Sequence, residues 1–85
     1  MRVLIPSSLR SYTRQTWVEA SGATLGAALA DLERQYPGIR FRMIDEQDRM
    51  RPNMRFFVNG AATFDLALPL GTADELSIVQ ALSGG

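Results

Sequence analysis

The sequence predicts a small α+β roll in which one helix lies across one face of a sheet. Three observations predict it. One stretch, Leu25 to Tyr36, places apolar residues at helical spacing. The other apolar stretches are short and alternate with a period of two, as half-buried strands do. Between two of these, Asn59-Gly60 is a strong signal for a tight hairpin turn, because both residues tolerate positive φ.

Taken in order, "MRVLIP" reads as a first strand with Val3 and Ile5 on one face and Leu4 on the other. Pro6 and the serine pair after it close that strand. "SSLRSYT" reads as the turn of a hairpin leading to a second strand, "RQTWVEA". There Thr16, Val18 and Ala20 alternate with Gln15, Trp17 and Glu19, and Trp17 is expected to pack across strands with its indole partly wet. Thr24 then offers its hydroxyl as an N-cap. Leu25, Ala28, Leu29, Leu32 and Tyr36 form the apolar face of the helix, and Pro37-Gly38 ends it. "RFFVNG" is a third strand with Phe56 and Val58 on one face and Phe57 on the other. "ATFDLALPL" makes a short strand or an irregular return, and "ADELSIVQAL" supplies a last strand with Leu76 and Ile78 inward and Ser77 and Val79 outward. Residues 39–55 hold five arginines against Asp45, Glu46 and Asp48. This stretch reads as a solvated loop over the sheet edge, anchored by Phe41, Met43 and Ile44, or as a charged docking surface.

Composition narrows the chemistry. The chain has 85 residues and 46% hydrophobic residues, enough for one small domain spanning residues 1–85. Nine cationic side chains balance nine acidic ones, which disfavours nucleic-acid and anionic-membrane partners. The apolar run Val3–Ile5 is too short for a signal peptide or a span, so a cytoplasmic protein is expected. There is no Cys and no His, and every cationic side chain is Arg. Thiol nucleophiles, thiolate metal sites, the usual general base and lysine Schiff bases are therefore absent from the repertoire. Asp65, Asp74 and Glu75 lack a metal-ligand spacing, and no Lys follows a glycine-rich turn to make a phosphate loop. What remains for covalent work is hydroxyls, carboxylates and the chain ends, so an enzyme is not expected.

The chain closes on "ALSGG", Ala81 to Gly85. With "VLIPSSLRSYT", "TLGAALADLERQYPG", "RFFVNG" and "ADELSIVQALSGG" in this order, it resembles the ubiquitin-like β-grasp proteins. Within them it is similar to the bacterial sulfur carriers of the MoaD/ThiS family. The resemblance covers nearly the whole chain. It implies a mixed four- to five-stranded sheet with one main helix on one face and a flexible diglycine tail, residues 81–85.

The resemblance also implies a role. In such carriers a partner resembling the ubiquitin-activating enzymes adenylates the terminal carboxylate, and a sulfur donor displaces AMP to leave a thiocarboxylate. ATP is used by that partner, and no cofactor or metal is bound by the carrier. By this likeness Gly85 is the reactive residue, and Gly84 keeps the approach narrow by lacking a Cβ. Ala81, Leu82 and Ser83 form the stalk, with Leu82 an apolar contact for the partner. The chemistry resides on the chain end, which agrees with the absence of Cys, His and Lys. A sulfur-accepting synthase completes the expected partners; the acceptor pathways in the family include molybdopterin, thiamine, cysteine and secondary-metabolite biosynthesis. The long 39–55 stretch leans toward the carriers of cysteine synthesis or molybdopterin-like variants. Two other functions stay open: a protein modifier joined through Gly85, and a non-covalent β-grasp interaction module.

On the open sheet face, Phe57 and Val79 fall on neighbouring strands beside the tail, with Leu4 as a further candidate. They are expected to form an apolar docking patch.

Overall fold

The computed structural model describes residues 1–81. Strands β1 (Arg2–Leu4) and β5 (Glu75–Gln80) run parallel at the centre of a five-stranded sheet. β2 (Trp17–Glu19) pairs antiparallel with β1. On the other side β3 (Met54–Val58) pairs antiparallel with β5 and with β4 (Ala61–Thr63), giving the order β2-β1-β5-β3-β4. The sheet is mixed, and the helical segments complete a β-grasp arrangement, as the family resemblance implies.

Helix α2 (Leu25–Gln35) buries Leu25, Ala28, Leu29 and Leu32, four of the five residues of the predicted stripe; Tyr36, at its C-cap, is half-buried. The stripe meets Val3, Ile5, Phe56, Leu76 and Ile78 from the sheet in one buried cluster. Each large side chain taken fully from water contributes about 1.5–3 kcal/mol, so this contact dominates the fold's stability. Thr24 caps the helix as expected, its hydroxyl accepting from the Ala27 amide at 3.1 Å. The remaining first-turn amides are satisfied by the chain after β4: Leu25 donates to the Leu68 carbonyl at 3.0 Å and Gly26 to that of Leu66 at 2.8 Å. "ATFDLALPL" is thus a short strand followed by an irregular return that seats the helix N-terminus. Asn59 and Gly60 both adopt positive φ, 50° and 85°, and close the two-residue β3–β4 hairpin.

Two segments differ from the sequence reading. "SSLRSYT" is not a plain turn: it forms a 3-10 turn (Ser7–Leu9) and a single helical turn, α1 (Arg10–Thr13). Leu9 and Thr13 are buried, one helical turn apart, and that single i,i+4 pair is too short a period to read in a sequence. The stretch after Gly38 is likewise not a solvated loop throughout. It opens with α3 (Ile39–Met43), which buries Ile39 and Met43, and Ile44 follows them into the core. Phe41, expected as an anchor, is 56% exposed, because the helical turn carries it to the face opposite Ile39 and Met43. Gly38, at φ 98°, reverses the chain after α2. The Glu33 carboxylate then accepts from the Gly38 and Arg40 amides, both at 2.9 Å, supplying a cap for a helix that has none of its own.

Gly22 marks a close approach that sequence reading passes over. A Cβ there would lie 2.5 Å from the Ala28 nitrogen and 2.7 Å from the Ala27 carbonyl carbon, which are backbone atoms that cannot swing aside. Gly22→Ala is expected to cost about 1–3 kcal/mol, read as a lower denaturant midpoint at unchanged m-value.

Four of the carboxylates that clip backbone amides are held below their ordinary pKa by those bonds. Asp31 accepts from the Ser21 amide and from Arg34 and Gln35; Glu33 binds Gly38 and Arg40. Asp45 binds the Arg49 and Gln47 amides, and Asp74 the Gly71 amide and the Asn59 side chain. A lowered folded pKa means that the unfolded chain takes up protons first as pH falls. The stabilisation is complete above the ordinary carboxylate range near ~4 and is lost as pH drops through the folded values. With no His or Cys to titrate, urea midpoints are expected to stay level from about pH 5 to 7 and fall steeply below about 4.

Candidate functional site

The open sheet face is assembled by register. Leu4 on β1 lies opposite Ser77 on β5, and Ser77 lies opposite Phe57 on β3. On the far side Leu4 is opposite Trp17. Side chains of directly paired residues point the same way, so Trp17, Leu4, Ser77 and Phe57 form one row across four strands on the face away from α2. Trp17, Leu4 and Phe57 are each half-buried, and the small Ser77 leaves a step between the larger apolar groups. Val79 sits two residues further along β5 on this face, opposite Arg55, and is 38% exposed.

Phe57, Val79 and Leu4 therefore share the face expected of them. Phe57 and Val79 are diagonal neighbours rather than a direct pair. Sequence reading missed the membership of Trp17, whose signal was available: it alternates outward between Gln15 and Glu19. Its ring is covered from one side by the Arg2 guanidinium, 4.1 Å from the ring centroid, and Arg2 also pairs with Glu75 at 3.4 Å. That cation–π contact fixes one rim of the apolar row.

At the end of β5 the Ala81 amide donates to the Asn53 carbonyl at 2.6 Å, the last backbone tie to the sheet among the described residues. Ala81 is exposed there. The predicted site residues Leu82, Ser83, Gly84 and Gly85 lie outside the described residues. Ala81 thus lies at the end of β5, the central strand of the sheet, two residues past Val79, which shares its face with Phe57.

Among the described residues no group of three or more Cys, His, Asp or Glu is placed to hold a metal ion, and no helix is long and apolar enough to cross a membrane. Asp74 is engaged with Asn59 and Gly71, while Asp65 accepts from the Ala67 amide.

With this geometry in view, the comparisons with known proteins converge. The sequence matches the ThiS family over residues 3–85. It is 36% identical over 89 residues to "Sulfur carrier protein CysO" of Mycobacterium tuberculosis (strain ATCC 25618 / H37Rv), an alignment covering 98% of this chain and 96% of the relative. The crystal structure of M. tuberculosis CysO superposes with a TM-score of 0.88 at 34% identity, covering 95% of this chain and 98% of that one. A chain of the Amycolatopsis orientalis BexX/CysO complex gives 0.88 at 31% identity, covering 99% and 98%. SAMP1 from Haloferax volcanii gives 0.80 at 25% identity, covering 100% and 98%.

Proposed function

This chain belongs to the ThiS family, and from that premise we propose that it is a sulfur carrier whose Gly85 carboxylate is converted to a thiocarboxylate. The observation that carries the reading is the 36% identity to a sulfur carrier over 98% of the chain, together with a family match that runs through Gly84 to Gly85. Proteins of this kind are carriers, co-substrates of their partners rather than enzymes.

The chemistry requires activation first. A carboxylate is a poor electrophile, and its oxygen leaves badly. Attack of the Gly85 carboxylate on the α-phosphorus of ATP forms an acyl adenylate and releases pyrophosphate. A sulfide-level donor then attacks the acyl carbon, the C–O bond to AMP breaks, and the thiocarboxylate remains. ATP is held by the adenylating partner, so this chain needs no nucleotide site of its own. The helix N-terminus that would otherwise suit a phosphate is already occupied by Thr24, Leu66 and Leu68. We place these steps in the cytoplasm, where ATP is available, and assign the whole chain to one carrier domain.

Docking falls to the apolar row Trp17–Leu4–Phe57 with Val79, which lies beside the stalk. A structural neighbour found in a BexX/CysO complex supports use of the fold in partner complexes. The likeness to CysO favours cysteine biosynthesis among the acceptor pathways. ATP–pyrophosphate exchange by an adenylating enzyme of the same organism tests the first step. Exchange that depends on adding this chain supports the reading, and exchange indifferent to it refutes it.

A second reading has one observation in its favour. The fold and sequence are also similar to SAMP1, a small archaeal modifier protein. Conjugation through Gly85 would share the activation step and end on a lysine of another protein, since this chain has none. Covalent adducts on cell proteins would identify it.

A further inference from the structure

We propose that the root of the tail carries an arginine collar that recognises the acidic rim of the cleft receiving residues 82–85; this rests on the carrier reading above. The nine acids and nine arginines of the chain balance in number but not in position. Glu19, Asp74 and Glu75 lie at the end of the sheet where β5 begins, Glu75 and Glu19 both in register with Arg2. Gln80, where β5 ends, is five residues and about 17 Å further along. At that end stand Arg42, Arg51 and Arg55, with Arg10 and Arg14 on and after α1. None of these five makes an ion pair among the described residues, whereas Arg2, Arg34 and Arg40 all do.

The collar is shaped as well as charged. One groove of about 230 Å³ is lined by Ser8, Leu9, Arg42 and Gln80, and a second of about 240 Å³ by Phe41, Arg42 and Arg51. Arg42 borders both, so they adjoin beside the point where the chain leaves the sheet. Ser8 donates to the Gln80 side chain across the first groove. In the second, the Arg51 guanidinium stacks 4.3 Å from the centroid of exposed Phe41, and its Nε donates to the Phe41 carbonyl at 2.9 Å. Arg51 is thereby held ready, with little side-chain entropy left to lose on binding. The nearby acids are largely committed: Asp48 pairs with Arg40, and Asp45 caps the Gln47 and Arg49 amides, leaving Glu46.

Reach decides which part of the partner the collar meets. The four residues after Ala81 extend at most about 14 Å, so a tail end at the ATP phosphates leaves Arg42 and Arg51 at the mouth of the cleft. Guanidinium groups there fit carboxylates on the rim, which would steer the tail inward. The neutral net charge makes this a local field, dependent on where the arginines stand.

The test uses the adenylating enzyme that supports pyrophosphate exchange with the wild-type chain. Arg42→Gln/Arg51→Gln removes two positive charges at the collar, and Ala61→Glu/Ala73→Glu changes net charge equally at the far end. The collar variant is expected to raise the KM for the carrier about tenfold at low salt with kcat unchanged, the difference vanishing at high salt. The far-end variant is expected to keep the wild-type KM. Arg42→Gln alone makes the same comparison should Arg51 prove needed for folding, since the Arg42 side chain has no hydrogen bond among the described residues. Equal KM shifts in both variants, a salt-independent wild-type KM, or retention of single-stranded RNA by the collar with KM unmoved would each overturn the proposal. No exchange with the wild-type chain would instead overturn the carrier reading beneath it.

Discussion

Phe57→Glu is expected to leave the fold nearly intact while raising the KM for the adenylating partner about tenfold or more. The neighbouring change, Phe56→Ala, is expected to do the reverse. Phe56 is 1% exposed, packs among the sheet and helix core residues and stacks on Phe64 with ring centroids 5.7 Å apart. Removing it leaves a cavity worth about 3–5 kcal/mol. A chain of this size has only about 4–13 kcal/mol in total, so much of that variant would unfold on modest heating. Phe57 points the other way, opposite Ser77 and Ala62, and is half-buried. A charge there loses side-chain packing on a strand, about 1 kcal/mol, and sets an unpaired carboxylate in the middle of the apolar row. Thermal unfolding and exchange kinetics on the two variants separate core from docking face. Loss of fold in Phe57→Glu would make Phe57 a core residue and remove the patch.

Deleting Gly85 is expected to abolish activation, with at least about a hundredfold loss in exchange rate and no change in stability. The shortened chain would still end in a glycine carboxylate of identical chemistry. Its reacting oxygen would stand about 3.5 Å short of the α-phosphorus, and misplacement by 1 Å already costs about a hundredfold. Gly84→Val is expected to act through width instead of length, lowering kcat/KM by adding a branched Cβ where the path is narrow. A deletion mutant that still drives exchange would place the chemistry elsewhere.

Much of the fold was legible because its signals are local and redundant. The α2 stripe, its Thr24 cap and its Pro37-Gly38 stop agree with one another, and each is a property of a few adjacent residues. The alternation in "RFFVNG" and "ELSIVQ" assigned Phe57 and Val79 to the open face correctly, since parity survives an uncertain boundary. What escaped was short or cooperative. A one-turn helix such as α1 has no period to read, and α3 depends on a carboxylate from the preceding helix, Glu33, reaching forward to its first amides. The row Trp17–Leu4–Ser77–Phe57 needs the strand order and register, which arise only when β5 inserts between β1 and β3. The arginine collar is hidden for the same reason: its members are spread from Arg10 to Arg55 and meet only at one end of the sheet.

The central claim is that the chain end is the reactive group, and intact-protein mass spectrometry tests it most directly. The wild-type chain would be incubated with ATP, sulfide and an adenylating enzyme of the same organism, with the Gly85 deletion in parallel. The account predicts a mass gain equal to one oxygen replaced by sulfur, dependent on ATP, localised to the C-terminal peptide and absent from the deletion. Pyrophosphate exchange without any such gain, or a gain that persists when Gly85 is removed, would contradict it.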